Sequence, residues 1–157
     1  MTEAALATEE PVKHAPVILR RFQTSDLSSH GAWILKRLQP LFPEMSEQWI
    51  GGWMRGLIAN NEHSFLYQPH AVALFQIVNV PGLKPGKMIQ ERFVWVEDKA
   101  NKEQAELAAD FYDSALSWGQ GLRAERIIVC ENSDVPKSMI EQKLGRLFDT
   151  KVTHARL

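Results

Sequence analysis

An unbroken apolar run in the middle of the chain constrains its fold more than any other feature. The run, Phe93–Val96, forms the end of a strand predicted over Met88–Val96. Since successive side chains of a strand point to opposite faces of a sheet, such a run needs apolar cover on both faces. The strand is therefore predicted to be buried between helices on the two sides of a sheet.

Apolar periodicity predicts the other elements. Further strands are predicted over Val17–Phe22, Ser64–Tyr67, Ala71–Val80, Arg126–Cys130 and Lys151–Ala155. Helices are predicted from Ser25 or Asp26 to about Gln39, from Ser46 to Asn60, over Asn101–Gln120, and from Asp134 to Gly145. This order predicts a mixed α/β (α+β) fold, with a central mixed sheet of about six strands and helices on both faces.

Local signals predict where the helices begin and end. Ser46 and Asp134 are predicted as N-caps of the second and the last helix. The long helix is predicted to end at Gly119 and Gly121, and the last helix at Gly145. Helical spacing gives the long helix a buried face made of Leu107, Ala108, Phe111, Ala115 and Trp118.

Length and composition restrict the domain organisation and the partners. A chain of 157 residues is typical of one domain, and we expect a flexible arm over residues 1–16 and a single domain over residues 17–157. The net charge of −1 gives no general reason to bind nucleic acid. One cysteine and five histidines without paired spacing predict no disulfide and no metal site. No apolar run suits a membrane span or a secretory signal, so the cytoplasm is the expected location.

Several short motifs resemble those of one enzyme superfamily. The segments concerned are the helix end Leu116–Trp118, the strand region Arg123–Val129, the pair Glu131-Asn132, and the ending Glu141–Gly145. Together with Arg20–Phe22 and Asp26 near the start, they resemble the GNAT superfamily of N-acetyltransferases from about Val17 onward. The resemblance implies a GNAT-like sheet, acetyl-CoA as cofactor, and an amine acceptor on a small molecule or a protein.

The resemblance also implies where the cofactor binds. In the superfamily, a strand similar to Met88–Val96 carries the acceptor amine and the pantetheine arm side by side, and glycines of the next loop let N–H groups approach the pyrophosphate. Here the corresponding residues are Lys102–Leu107 or, two positions later, Gln104–Ala109, and neither stretch contains a glycine. The implied cofactor-binding residues are Lys102, Gln104, Ala105 and Asn132.

The amine acceptor must lose a proton, and members of the superfamily often use a carboxylate on the central strand for this step. Glu91 is therefore the implied catalytic residue; the alternative is a polar side chain that faces solvent at the start of the strand. The tyrosine that protonates the leaving thiolate in the superfamily corresponds to Glu141. Trp49 and Trp53 are interpreted as core residues or, alternatively, as a wall of the acceptor site.

Two functions follow from these residues. The first is an acyl-CoA-dependent N-acyltransferase that transfers an acetyl group to an amine. The second is a non-catalytic binding or assembly protein with the GNAT fold, similar to compact GNAT-like phage proteins, some of them associated with the virion. In the second case the acidic arm, residues 1–16, would bind a protein partner, and the location would be the virion if the chain comes from a phage.

Overall fold

The computed structural model describes residues 18–82, 86–124, 126–131, 133–147 and 151–155. The predicted arm, residues 1–16, lies outside these ranges. The strands are β1 Arg20–Arg21, β2 His63–Gln68, β3 Ala71–Asn79, β4 Lys87–Val96, β5 Arg126–Cys130 and β6 Lys151–Ala155. The helices are α1 Leu27–Leu38, α2 Glu47–Ala59, α3 Lys102–Ala108, α4 Asp110–Gly121 and α5 Lys137–Leu147.

The six strands of the described ranges form one mixed sheet in the order β1-β2-β3-β4-β5-β6. The pairs from β1 to β4 are antiparallel, whereas β4 with β5 and β5 with β6 are parallel. Each parallel pair needs a crossover connection, which is supplied by α3 with α4 and by α5. The predicted mixed sheet of about six strands is confirmed.

The sheet separates two apolar cores, and β4 contributes to both. Phe93 and Trp95 pack with α1 and α2 on one face. Val94 and Val96 pack with α3, α4 and α5 on the other. The central position predicted from the apolar run is therefore confirmed, because side chains of the run lie in both cores.

The helix ends show where local signals act and where they do not. Ser46 caps α2 as predicted, its hydroxyl accepting the Trp49 N–H at 3.2 Å. The predicted long helix is divided at Ala109, where the Tyr112 N–H bonds to the Ala109 carbonyl three residues back. The predicted end at Gly145 is wrong, because α5 continues to Leu147. A glycine ends a helix where the chain turns left-handed, and Gly145 does not have a positive φ.

Candidate functional site

A β-bulge at Arg92 shapes the middle of β4. Glu91 pairs with Phe75 and Phe93 pairs with Leu74, so Arg92 has no partner on β3. A bulge breaks the alternation of side chains between the two faces. Arg92 and Phe93 consequently both line the face covered by α1 and α2, whereas Glu91 points to α4 on the opposite face.

A gap opens between β4 and β5 directly after the paired residues. Met88–Gln90 pair with Arg126–Ile128, and the ladder ends there. Glu91 lies at the point where the strands part. Its side chain is 1% exposed, so the alternative prediction that Glu91 faces solvent is wrong. The bulge explains this burial, because it keeps Glu91 on the face covered by α4.

Hydrogen bonds hold the Glu91 carboxylate in the gap. Oε1 accepts the Tyr112 O–H at 2.8 Å, and Oε2 accepts the Cys130 N–H at 2.8 Å. The Tyr112 hydroxyl also lies 2.8 Å from Ser133 Oγ. The carboxylate thus links β4 to α4 and to β5 where the backbone ladder has stopped.

Burial dominates the electrostatics of this cluster. Desolvation raises the pKa of Glu91 to about 7, although hydrogen bonds from the Cys130 N–H, Tyr112 and Ser133 oppose the shift. Burial, followed by the adjacent Glu91 charge, raises the pKa of Tyr112 well above its usual value. A carboxyl group with a pKa near neutrality is able to accept or release a proton at physiological pH.

Asp134 closes the gap beyond Glu91. Its N–H donates to the Val94 carbonyl at 3.1 Å, and its Oδ2 accepts the Val96 N–H at 2.9 Å. Both Asp134 oxygens also accept hydrogen bonds from the Arg37 guanidinium of α1, one of them at 2.9 Å. We call this arrangement of Asp134, Arg37, Val94 and Val96 the Asp134 latch. The predicted N-cap role of Asp134 is wrong, because its carboxylate binds β4 and α1 instead.

Side chains of the loop between β4 and α3, and of the start of α3, accept hydrogen bonds from backbone N–H groups of the same region. The Asp98 N–H donates to Gln104 Oε1 at 2.9 Å, and the Ala100 N–H donates to Asp98 Oδ1 at 3.0 Å. Asn101 caps α3 by accepting the Gln104 N–H at 3.3 Å. The N–H groups of Asp98, Ala100 and Gln104 are therefore already bonded to side-chain oxygens.

The structure places the implied cofactor residues in or beside this loop. Lys102, Gln104 and Ala105 share the first turns of α3, where Lys102 is exposed and Ala105 is buried. Gln104 directs its side chain back to the loop. Asn132 lies outside the described residues. The first three residues are brought together, whereas Glu91 lies on β4.

A cavity of about 380 Å³ lies on the face covered by α1 and α2. We call it the α1/α2-face cavity, and it is lined by Leu38, Leu41, Phe42, Trp53, Leu74, Arg92, Phe93 and Trp95. Trp53 is half-buried, packs against the core on this face and also lines the cavity. Trp49 is 49% exposed, so its interpretation as a core residue is wrong.

Sequence reasoning missed Tyr112, Ser133, Arg37 and Arg92. The sequence could have indicated the burial of Tyr112, because this residue follows Ala108 by one helical turn on the predicted buried face. A buried tyrosine hydroxyl usually has a hydrogen-bond partner, and Glu91 is that partner. Arg37 and Arg92 carry no such signal, because their roles depend on contacts between distant segments.

The described ranges contain no cluster of three His, Cys, Asp or Glu residues suited to a metal ion. In the same part of the chain, no helix is long and apolar enough to cross a membrane.

Solved structures with similar folds are acetyltransferases by name. The aminoglycoside antibiotic 6'-N-acetyltransferase AAC(6')-Ih from Acinetobacter baumannii is 16% identical with a TM-score of 0.57, over 86% of this chain and 92% of that one. The aminoglycoside N-acetyltransferase AAC(6')-Iy, in complex with CoA, is 11% identical with a TM-score of 0.56, over 94% and 96%. A putative acetyltransferase from Agrobacterium tumefaciens is 16% identical with a TM-score of 0.53, over 85% and 94%.

No protein-family model matches the sequence, and no curated protein is similar enough to match it. The structural likeness nevertheless identifies the architecture. The chain has the GNAT fold, which confirms the fold that the sequence motifs implied.

Proposed function

We propose that this chain is a binding protein built on the GNAT fold, in which the cleft for acyl-CoA is closed. One observation carries the proposal: the Asp134 latch bonds to the Val94 carbonyl and the Val96 N–H on β4. The resemblance implies that the pantetheine arm runs along this strand. An elongated ligand that needs these two groups would therefore have to displace Asp134.

The loop between β4 and α3 gives a second reason. A pyrophosphate binds to free amide N–H groups and is repelled by acidic side chains. Here the side chains of Asp98, Asn101 and Gln104 already accept from loop and helix amides. Glu103 and Glu106 add negative charge to the first turns of α3. The residues present therefore do not fit the pyrophosphate of CoA.

Calorimetric titration of the full chain with acetyl-CoA tests the proposal. We expect no saturable heat for the unaltered protein, because Asp134 occupies polar groups of β4 and side chains already accept from three amides of the loop and of α3. Desulfo-CoA serves as a matched ligand, since it keeps the phosphates and lacks the thioester. Saturable binding of either ligand to the unaltered chain would contradict the proposal.

A second candidate is an acyl-CoA-dependent N-acyltransferase that transfers an acetyl group to the amine of a small molecule. Glu91 favours it, because this carboxyl group lies where β4 and β5 part and its pKa is raised to about 7. Glu91 would accept the proton of the amine. Similarity to enzymes named aminoglycoside N-acetyltransferases adds support. Lys102, Gln104, Ala105 and Asn132 would hold acetyl-CoA only after Asp134 had left β4.

Acetyl transfer to a broad set of amines tests this second candidate. If transfer occurs, Glu91→Gln should lower the rate roughly 100-fold, as expected for loss of a general base. The rate of the unaltered chain should rise with pH through about 7, because the base acts in its ionised form. An active protein whose Glu91→Gln variant keeps the full rate would remove Glu91 from the mechanism, and absence of transfer to every amine would remove the candidate.

The acidic arm, residues 1–16, completes the proposal as a site for a protein partner, in the cytoplasm or in a virion. Three glutamates and two prolines occur over this stretch, a composition that binding segments often share. If the arm binds a partner, deletion of residues 1–16 should abolish co-purification of that partner. The GNAT-fold domain should keep its thermal transition in the deletion variant.

A further inference from the structure

We infer that the α1/α2-face cavity binds a small carboxylic acid with an aromatic or branched apolar body, and that the carboxylate of this ligand pairs with Arg92. The inference rests on the proposed binding function and names its ligand class. It depends on three properties of the cavity: its apolar walls, its single charged side chain, and the environment of that charge.

The walls of the cavity suit a flat apolar group. Phe93 and Trp95 stack with ring centroids 4.1 Å apart and an angle of 15° between the planes, and Trp53 lines the cavity from α2. Leu41 and Phe42 line it while 63% and 43% exposed. Exposed apolar side chains around a cavity are stabilised when a ligand removes them from water. The volume of about 380 Å³ falls within the range of small-molecule sites.

Among the residues that the structure describes, Arg92 is the one charged side chain that lines this cavity. The bulge turns it to the face covered by α1 and α2 beside Phe93. No hydrogen bond or ion pair of the Arg92 side chain occurs among the residues that the structure describes. The guanidinium group offers a planar fork of donors that matches a carboxylate. Arg92 is therefore free to bind the acidic group of a ligand.

The charges around the cavity favour an anion over a cation. None of the described residues that line the cavity is acidic. Burial is the main cause that lowers the pKa of His63; the Glu62 charge opposes this shift and the Arg92 charge adds to it. His63 therefore adds no positive charge near neutral pH. A polycationic amine would find no carboxylate on these walls. The ligand class therefore differs from the aminoglycosides in the names of the structural neighbours.

Matched small molecules separate the two parts of the inference. Calorimetric titration of the full chain with 3-phenylpropionate supplies both the ring and the carboxylate. Phenethylamine keeps the ring and replaces the carboxylate with an ammonium group, and acetate keeps only the carboxylate. We expect saturable binding of 3-phenylpropionate and much weaker binding of the other two probes.

Arginine variants identify the group that binds the carboxylate. Arg92→Gln should weaken 3-phenylpropionate binding about tenfold or more, the effect expected from losing a charge-assisted hydrogen bond. Arg92→Lys should restore part of the affinity, because it restores the charge without the fork. Arg55→Gln is the matched control, since Arg55 is an exposed arginine of α2 that does not line the cavity, and it should leave the affinity unchanged.

Three results would overturn the inference: no saturable binding of 3-phenylpropionate at millimolar concentration, equal binding of phenethylamine, or equal affinity of the Arg92→Gln variant. Circular dichroism of each variant confirms that a lost affinity is not a lost fold. These titrations contain no CoA. Their failure is thus distinguishable from a failure of the proposed function, which would appear as binding of acetyl-CoA to the unaltered chain.

Discussion

Two opposing effects act on the Glu91 side chain, and burial is the larger. Hydrogen bonds from the Cys130 N–H, Tyr112 and Ser133 stabilise the ionised carboxylate, whereas removal from water destabilises it. The net pKa of about 7, against an ordinary value of 4.5, shows that desolvation outweighs the three partners. Near neutral pH the carboxyl group is thus close to half protonated.

This raised pKa predicts a pH dependence of stability. The folded protein holds the Glu91 proton more tightly than the unfolded chain does, so this contribution to stability is complete below about pH 4.5 and is lost as pH rises through about 7. A shift of this size corresponds to about 3 kcal/mol. In urea unfolding, the free energy of unfolding of the unaltered protein should therefore fall relative to Glu91→Gln between about pH 5 and about pH 8.

The control for this prediction is Glu44→Gln, which changes an exposed glutamate in the turn between α1 and α2. Its unfolding free energy should follow that of the unaltered protein over the same pH range. If the curves for Glu91→Gln and the unaltered protein run parallel, Glu91 does not carry the raised pKa.

At the scale of the elements, α4 lies close to β4 at Gly119. A Cβ atom built on Gly119 would lie 2.2 Å from Ile89 Cδ1 and 2.3 Å from Ile89 Cγ1. Ile89 is fully buried, so neither it nor the helix has room to move without disturbing the core. A glycine at this position permits the contact between helix and sheet.

We therefore expect Gly119→Ala to lower the free energy of unfolding by about 2 kcal/mol, as overpacking of a core does. Gly121→Ala is the matched control two residues later in α4, because no atom lies within 4 Å of its added Cβ. It should leave stability unchanged or slightly increased, since alanine favours a helix over glycine. Equal urea midpoints for the two variants would contradict the close approach.

The turn that follows α4 contains an arginine in a left-handed conformation. The Ala124 N–H bonds to the Gly119 carbonyl and the Arg123 N–H bonds to the Gln120 carbonyl, which together form a Schellman motif. Arg123 takes the left-handed position with φ of 67°. The predicted end of the helix at Gly121 is confirmed, although the residue that turns the chain after it, Arg123, is not a glycine.

Replacing Arg123 with glycine should stabilise the protein by about 1 kcal/mol, since glycine adopts positive φ without the steric cost of a Cβ. Arg123→Ala is the control, because it removes the charge and keeps the Cβ, and we expect no gain from it. Thermal unfolding of both variants measures the difference. A gain of the same size in Arg123→Ala would attribute the effect to charge instead of backbone conformation.

At the scale of the whole molecule, the Asp134 latch joins three separate parts of the fold. It connects α1 through Arg37, the end of β4 through Val94 and Val96, and the segment that leads from β5 to α5. The Asp134 side chain is 5% exposed and that of Arg37 is 20% exposed. Loss of one partner in such a buried pair leaves the charge of the other partner buried without an opposite charge beside it.

Asp134→Ala should accordingly lower the free energy of unfolding by about 3 kcal/mol or more. Asp110→Ala is a contrasting control, because Asp110 pairs with Lys143 at 2.6 Å with side chains 47% and 35% exposed. Such a surface pair contributes about 1 kcal/mol or less. Urea unfolding of both variants measures the two losses of free energy. A similar small loss in each would show that the Asp134 latch does not stabilise the fold more than a surface ion pair does.

The sequence by itself determined the elements and their layering. The apolar run Phe93–Val96 predicted a strand covered on both faces, and β5 and β6 have the bounds that were predicted. These features depend on local periodicity, which the chain displays without reference to its distant parts. The short motifs likewise implied the GNAT fold.

Only the tertiary structure decided which groups surround the Glu91 carboxyl group between β4 and β5. The bulge at Arg92 directs Glu91 towards Tyr112 and Arg92 towards the α1/α2-face cavity. The sequence does not show that the alternation of side chains shifts by one residue at this point, because the run that follows is apolar on both faces. Asp134 carries the signal of a helix cap, yet its partner Arg37 lies 97 residues away in the sequence. A carboxylate binds the donors that the folded chain brings to it, and the sequence alone does not specify that arrangement.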